Sequence, residues 1–474
     1  MNPLSKSFRL LGGVFVISIL AGTSLVQAQD TKPTTAPPAA PATTPAAAPS
    51  APASNPSVML LKEGHTDSIR AKAAEDLGKQ GDVSAIPALT DALGDPSAKV
   101  RRAVVAALAQ FHQSTALPPL EQAATKDGDD SVRILAVQCL VGYYTGNLPS
   151  SGVTGFVKRN WQRAATHFQP DDTRIAPGIA VDPSVIAALV TALKDVRSND
   201  ASREAAKGLG ILVAKPAVLD LVAAAHSSDI DLSRESLNAL AKIKDLDSGT
   251  KLVDLLDSPN RDVKRDTCVT VGILRVKEAL PKLQSIYEGS VDPKDKSAAM
   301  QGLAFLGDKS SVPVFAKALA SDDKNVRQGA AEGLARAADP QSMDALQKAL
   351  STEKDASPRL AMNYALAALG NNDAFNELVN ELGGRMRGDV ARAYLTELCR
   401  DPALLPKLYI HFQNPDAGIR KRLCVVLMYS GDQSSLEQLD RLSHDPDKDV
   451  AATAMQAKRA VRARLDAAGA PGKS

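Results

Sequence analysis

The chain has 474 residues, of which 44% are hydrophobic and 4% aromatic, and it carries 56 Lys and Arg against 54 Asp and Glu. Because a dedicated nucleic-acid binder needs a clear basic excess, this balance argues against a nucleic-acid partner. Cys139, Cys268, Cys399 and Cys424 are too few and too scattered for a disulfide-built scaffold, and no CxxC pair occurs. We therefore expect four buried thiols.

The first 28 residues have the layout of a secretory signal peptide. Lys6 and Arg9 precede an apolar run over residues 10–20, and the small residues up to Ala28 fit a cleavage site. An uncleaved anchor is the alternative, but the run falls short of the roughly 20 apolar residues that span a bilayer. Thr23 stands where a lipidated cysteine would have to be. The sequence predicts export to a bacterial periplasm or the exterior, with no integral membrane segment in the mature chain.

Residues 29–57 and 469–474 lack the large apolar side chains that a folded core needs. The first of these segments is rich in Pro, Ala and Thr, a composition typical of extended linkers. We expect a disordered tether before the folded part of the chain, which spans residues 58–468, and a short disordered tail after it.

An internal repeat of about 31 residues runs through residues 58–468. Segments such as "VRRAVVAALA", "VRQGAAEGLA" and "IRKRLCVVLM" share one frame. The second column of this frame recurs every 29 to 32 residues, with one jump of 69. It holds Arg70, Arg101, Arg133, Ser202, Ser233, Lys264, Lys296, Arg327, Arg359, Ala391 and Arg420.

Each repeat predicts a helical hairpin. Val326, Ala330 and Leu334 lie on one face of a 3.6-residue period, and a second apolar stripe, such as Ile86 and Leu89, follows about fifteen residues after the column. A hairpin of this size cannot bury both stripes alone, so neighbouring hairpins must stack. The sequence therefore predicts an all-α fold: an α-solenoid, a superhelix of about twelve antiparallel helical hairpins.

The recurring pattern D-P-x-x-x-V-R-x-x-A-x-x-A-L resembles HEAT repeats, and most closely the short HEAT-like repeats of the phycobilin-lyase type. The resemblance covers residues 57–468 and implies the solenoid fold. It also implies an alternative function, as a chromophore-lyase-like enzyme or a related chaperone. The predicted export argues against that alternative, since such chemistry belongs inside the cell.

The arginine column has two interpretations. It is either a binding stripe for an acidic partner or a stacked network that ties adjacent hairpins together. The loop aspartates beside it, Asp67, Asp95, Asp130 and Asp323, favour the network. Because serine, lysine or alanine replaces arginine in five repeats, we expect the network to be interrupted there.

No catalytic or cofactor motif can be read from the sequence. It has no HExxH pair, no GxSxG elbow and no Walker loop, and the acidic loop with Asp445, Asp447 and Asp449 lacks the glycine and glutamate of a calcium-binding EF-hand. The sequence predicts a protein that is not an enzyme, with no cofactor and no metal.

The jump of 69 residues marks a long insertion, at about residues 146–181, in the third or fourth hairpin. Within it, Trp161 and Phe168 share one face of a predicted amphipathic helix, and Lys158, Arg159 and Arg163 project elsewhere. One interpretation packs the aromatic face on the solenoid, against Tyr143 and Tyr144. The other makes these five insertion residues a contact for a protein, a glycan or an anionic lipid.

These observations favour an exported, non-catalytic scaffold or adaptor. We expect it to bind a protein or another macromolecule through its curved repeat surface, through the basic aromatic insertion, or through both. Peripheral membrane attachment through the insertion helix is a third hypothesis, beside the lyase-like alternative.

Overall fold

The computed structural model describes residues 55–146, 148, 174–175, 178–385 and 387–469, and every regular element in these ranges is helical. The α-helices are α1 Pro56–Glu63, α2 Asp67–Gln80, α3 Ile86–Asp91, α4 Ala98–Gln110, α5 Leu117–Lys126, α6 Asp130–Thr145, α7 Pro183–Leu193, α8 Asn199–Ile211, α9 Val218–Ala225, α10 Ile230–Ile243, α11 Arg261–Ile273, α12 Leu280–Gly289, α13 Pro293–Leu306, α14 Val312–Ala318, α15 Lys324–Ala337, α16 Met343–Thr352, α17 Ala356–Ala368, α18 Asn372–Glu381, α19 Gly388–Leu398, α20 Leu405–Tyr409, α21 Ala417–Ser430, α22 Ser435–Leu442 and α23 Lys448–Gly469. A 3₁₀ helix, Leu246–Asp257, stands between α10 and α11. The prediction of an all-α fold is confirmed.

Local chemistry explains where these helices begin and end. At the start of α2, Thr66 Oγ1 accepts a hydrogen bond from the Ile69 amide at 3.3 Å, and at the start of α15 an Asp323 oxygen accepts from the Asn325 amide at 2.8 Å. After α2 the chain turns at Gly81, whose φ of 68° lies in the left-handed region that glycine adopts without strain. Short polar caps thus separate one helix from the next.

Eleven hairpins follow one another between the single helices α1 and α23 in the described residues, close to the predicted twelve. The first helix of each hairpin packs on the first helix of the next, from α2 on α4 to α19 on α21, and α23 covers α21 at the far end. One apolar cluster runs through the stack from Leu61 to Val461. The solenoid therefore has one continuous core, with a single helix at each end as a lid.

Small residues allow the first helices to approach closely. A Cβ atom built on Gly272 would lie 2.3 Å from the carbonyl oxygen of Gly302, so the backbones of α11 and α13 are in direct contact. Alanine fills the position equivalent to Gly272 in other repeats, including the buried Ala304 of α13 and Ala335 of α15.

The long insertion interrupts the third hairpin, because α6 ends at Thr145 and α7 begins at Pro183. We call its described final part, residues 174–175 and 178–182, the return arm. The Ile175 amide donates to the carbonyl oxygen of Ile211, at the end of α8, at 2.9 Å. Gly178 lies against Ala463 of α23, since a Cβ atom built on this glycine would be 2.6 Å from the Ala463 Cβ.

The return arm thus connects the fourth hairpin with the last helix of the solenoid. None of the helices in the described residues combines the length and the apolar character that a membrane crossing requires.

Candidate functional site

An ion-pair ladder joins consecutive hairpins. Arg70 donates two hydrogen bonds to the Asp95 carboxylate, at 2.6 and 3.0 Å, and Arg101 makes the same contact with Asp127, at 2.7 and 2.9 Å. The ladder also includes Arg327 with Glu353 and Arg420 with Asp445. Each guanidinium also donates to a loop carbonyl, as Arg70 does to Gly64 at 3.0 Å. The arginine column therefore ties hairpins together, as the network interpretation predicts.

The ladder continues where the column has no arginine. Ser202 and Ser233 fill the column in the fourth and fifth hairpins, and the next residue, Arg203 or Arg234, pairs with an acid of the following hairpin. These pairs are Arg203 with Asp229 at 2.7 Å and Arg234 with Asp266 at 2.6 Å. In these two hairpins the expected interruption of the network is wrong, because the arginine one residue further along reaches the following hairpin.

The aspartates expected beside the column divide into two groups. Asp95 and Asp130 pair with arginines. Asp67 lies in the first turn of α2, and Asp323 is the N-cap of α15. The partner of Arg327 is instead Glu353, in the loop after α16.

An open groove of about 690 Å³ lies where the return arm rejoins the solenoid. It is lined by His112, Ser114, Leu117, Tyr143, Tyr144 and residues 179–183, and we call it the tyrosine groove. The rings of Tyr143 and Tyr144 meet edge-on with centroids 5.0 Å apart, and the Asp182 amide donates to the Tyr144 hydroxyl at 3.0 Å. Ile179 is 41% exposed at this surface.

Three separate segments therefore build the groove: the turn after α4, the end of α6 and the return arm. His112 has a φ of 49° and stacks on Tyr143 with centroids 6.4 Å apart. Burial raises the pKa of the Tyr144 hydroxyl, so this group is neutral at physiological pH.

The five predicted contact residues lie outside the described residues: Trp161, Lys158, Arg159, Arg163 and Phe168. Their role stays a prediction. Tyr143 and Tyr144, the surface that one interpretation assigns to Trp161 and Phe168, are half-buried and line the groove at the root of the insertion.

A second group of polar residues is buried between the eighth and tenth hairpins. We call it the acid–tyrosine cluster, and it comprises Gln328, Glu332, Arg336, Tyr364, Tyr394 and Glu397. The Tyr394 hydroxyl of α19 donates to Oε1 of Glu332 on α15, and Gln328 donates to the same oxygen at 3.0 Å. Arg336 donates to both carboxylate oxygens of Glu397, at 2.8 and 3.0 Å. Contacts from α15 thus reach α19 across α17.

The two carboxyl groups of this cluster differ in electrostatic environment. Burial raises the pKa of Glu332 to about 7, and the attraction of Arg336 only partly offsets it. Burial opposes ionisation of Glu397 as well, but the bidentate Arg336 outweighs it and lowers the pKa of Glu397 to about 2. At neutral pH, Glu397 is therefore charged while Glu332 is near its midpoint.

Sequence reasoning missed this cluster. The signal was a tyrosine in the first helix of two successive hairpins, Tyr364 and Tyr394, in a chain with 7 tyrosines. Glu332 and Arg336 stand one helical turn apart on the preceding first helix, within an otherwise small and apolar stripe.

Comparison with known proteins agrees with the repeat pattern. A family model described as HEAT repeats matches residues 58–141 and 280–367. The chain contains HEAT repeats. Among curated proteins, none matches this sequence.

Three solved structures align with parts of this chain, each with a TM-score below 0.5. The complex of CpcE and CpcF of phycocyanin lyase from Nostoc aligns with a TM-score of 0.36 and 20% identity, over 56% of this chain and 92% of that one. The structure in which Kap95p binds RanGDP gives a TM-score of 0.42 and 14% identity, over 86% and 62%. YibA of E. coli gives 0.38 and 16%, over 58% and 90%.

Metal-ligating side chains, thiols and the acidic loop before α23 are the remaining candidate groups. In the described ranges, no group of three or more His, Cys, Asp or Glu side chains is arranged to hold a metal ion. The four cysteines are free and buried, and burial raises the pKa of thiols such as Cys139 to about 12, which disfavours the reactive thiolate. Asp447 caps α23 through the Asp449 and Val450 amides.

Proposed function

We propose that this chain is an exported, non-catalytic scaffold whose main contact with a partner protein is the tyrosine groove. The observation that supports this is an open groove with two tyrosine rings, one of them fixed by a backbone hydrogen bond, at the root of the insertion. Tyrosine is enriched at protein contacts, because its ring buries much apolar area while its hydroxyl keeps a hydrogen bond.

The shape of the groove favours an apolar or aromatic anchor side chain from the partner. Leu117, Ile179 and Val181 supply aliphatic surface beside the rings of Tyr143 and Tyr144. The insertion carries the basic residues Lys158, Arg159 and Arg163, whose charge would favour a partner with acidic residues. The partner we propose is therefore a protein with an exposed hydrophobic residue flanked by acids.

Site-specific photo-cross-linking tests this proposal. A photoreactive phenylalanine analogue at Ile179 samples the groove, and the same analogue at Val291 is the matched control, because Val291 is 96% exposed in the loop before α13. After irradiation in the native envelope or culture fluid, we expect one discrete protein adduct from position 179 and none from position 291. Equal labelling at both positions would contradict the proposal.

Two further variants separate the groove from the insertion. Replacing residues 149–173 by a short Gly-Ser linker leaves the return arm in place, and Trp161→Ala changes one predicted contact only. If the insertion contacts the partner, both variants lose the adduct at position 179 while their melting temperatures stay near that of the wild type. If Trp161 packs on the groove instead, the linker variant gains adduct, because the groove is uncovered.

Two other results would favour one of the remaining hypotheses over a protein partner. Binding of a linear tetrapyrrole, seen as a new absorbance band, would indicate the lyase-like function. Flotation with anionic liposomes that is lost in Trp161→Ala would indicate membrane attachment.

A further inference from the structure

The acid–tyrosine cluster joins two hairpins that are not neighbours in the stack. Arg336 and Glu332 belong to the eighth hairpin, and their partners Glu397 and Tyr394 belong to the tenth. The pairs of the ion-pair ladder, in contrast, connect neighbouring hairpins. The rings of Tyr364, in the ninth hairpin, and Tyr394 stack nearly parallel with centroids 4.4 Å apart. The cluster thus clamps three hairpins at once.

The repeat frame shows why Arg336 can reach past the ninth hairpin. Arg327 and Arg359 mark the same column 32 residues apart, so Ala368 of α17 is the equivalent of Arg336 on α15. An alanine at this position leaves space beside Tyr364. Arg336 lies 4.5 Å above the centroid of the Phe305 ring, which holds the guanidinium on its path to Glu397.

Glu332 is the one incompletely satisfied acid of the cluster. It is fully buried, and its Oε1 accepts from both Tyr394 and Gln328. Its Oε2 has no hydrogen-bond partner, and the nearest guanidinium nitrogen, Nη1 of Arg336, is 3.7 Å away. A buried carboxylate with one bare oxygen is costly, whereas the neutral acid is tolerated. The groups that face it are Gln328 and Arg336 of α15, Tyr364 of α17, and Tyr394 and Glu397 of α19.

We propose that the acid–tyrosine cluster is a proton-operated clasp that holds the eighth and tenth hairpins together when Glu332 is protonated and releases them when it ionises. In the released state, water reaches Glu332 and α19 moves away from α15. The solenoid is then straighter at this point, so the curvature of its binding surface depends on pH. This inference does not depend on the tyrosine groove or on the identity of a partner.

The direction of the pH effect follows from proton linkage. Glu332 in the closed clasp keeps its proton up to about pH 7, whereas a hydrated glutamate has a pKa near 4.5. Between pH 4.5 and pH 7 the closed state binds more protons than the open state. The protonated Glu332 therefore stabilises the closed state fully below pH 4.5, and this stabilisation is lost as the pH rises to 7. From pH 5 to pH 8, the opening equilibrium constant should rise roughly 70-fold.

Hydrogen–deuterium exchange of the full chain, corrected for the intrinsic pH dependence of exchange, tests the clasp. We expect peptides of α17 and α19 to open roughly 70-fold more at pH 8 than at pH 5, while peptides of α4 stay unchanged. The radius of gyration from small-angle scattering should increase over the same range. Equal protection of α19 at both pH values would overturn the proposal.

Two variants assign the effect to Glu332. Glu332→Gln keeps the shape but cannot ionise, so its α19 peptides should stay protected at pH 8. Glu353→Gln is the matched control: Arg327 holds the pKa of Glu353 below its ordinary value, so this acid is ionised throughout and the pH dependence should remain. If α19 of the Glu332→Gln protein still loses protection as the pH rises, the proposal is contradicted.

Tyr394→Phe provides a readout if Glu332→Gln does not fold. It removes the hydroxyl that stabilises ionised Glu332 and keeps the ring stack, so the pKa of Glu332 in the closed clasp rises further. The opening equilibrium constant should therefore level off at a higher pH than in the wild type. An unshifted plateau would show that another group titrates.

Discussion

Hairpins eight to ten share the ion-pair ladder with the first two hairpins, and they have the acid–tyrosine cluster as a second kind of contact. Between α2 and α4, Arg70 and Asp95 occupy positions that the repeat supplies again and again, and their side chains are 18% and 8% exposed. Between α15 and α19, the Glu332 side chain is fully buried and that of Arg336 is 8% exposed, and the two residues occur together in one hairpin only. The repeat therefore sets the stacking of neighbours, whereas single substitutions create contacts that skip a hairpin.

The largest expected effect on the free energy of unfolding is in the acid–tyrosine cluster. Arg336→Ala should lower the free energy of unfolding by about 3 kcal/mol, because it breaks the bidentate pair with Glu397 and removes the cation from between buried groups. Urea unfolding followed by circular dichroism measures it. Arg441→Ala removes an exposed pair with Glu437 and should cost less than about 0.5 kcal/mol. Equal costs for the two variants would erase the distinction.

The second largest loss of stability is expected where the backbones of two first helices, α11 and α13, are in contact. Gly272→Ala should cost about 2 kcal/mol, because the added methyl group meets the Gly302 carbonyl oxygen, which cannot move without shifting α13. Gly289→Ala is the matched control, since a Cβ atom there meets nothing within 4 Å. Thermal unfolding should lower the melting temperature in the first variant only, and a neutral Gly272→Ala would disprove the close contact.

An arginine of the ion-pair ladder should contribute less to the free energy of unfolding, and its contribution should depend on pH. Arg70→Ala should lower the free energy of unfolding at neutral pH by less than Gly272→Ala does, because only the part-buried pair with Asp95 is lost. The hydrogen bonds from Arg70 hold the pKa of Asp95 below 3.8, so this stabilisation is present above that value and is lost as the pH falls through the lowered pKa. Urea unfolding at about pH 7 and pH 3 should therefore show a shrinking difference from the wild type. On the same helix, exposed Lys72→Ala should be nearly neutral.

The smallest expected effect is at the tyrosine groove. Tyr144→Phe removes the acceptor of the Asp182 amide and should cost about 0.5 to 1 kcal/mol. Faster hydrogen exchange should appear at the start of α7 and leave α16 unchanged. Faster exchange throughout the chain would instead show that this hydroxyl supports the whole solenoid.

Much of the fold could be predicted from the sequence, because the hairpin is a local pattern repeated many times. Val326, Ala330 and Leu334 were assigned to the core from their spacing, and all three are buried. The 3₁₀ helix Leu246–Asp257 was not foreseen. A Cβ atom on its Gly249 would lie 2.3 Å from Val276 Cγ2, so this segment packs tightly against the next hairpin.

The candidate sites were harder to predict because they combine distant residues. The jump of 69 residues located the insertion, but the groove needs His112, Tyr144 and Ile179 from three segments. Arg336 and Glu397 are separated by an entire intervening hairpin, a distance that no helical period encodes. The ladder was predictable as a network, yet its shift to Arg203 and Arg234 depended on how those helices rotate.

The contact between Gly178 and Ala463 has a consequence for the order in which the chain folds. Most contacts of the solenoid join neighbouring hairpins, so each hairpin can settle on the previous one as soon as it has been synthesised. The return arm is different, because its partner α23 is synthesised about 285 residues after Gly178. Completion of the third hairpin region must therefore wait until α23 has been made, and this long-range closure should be the slowest step of folding.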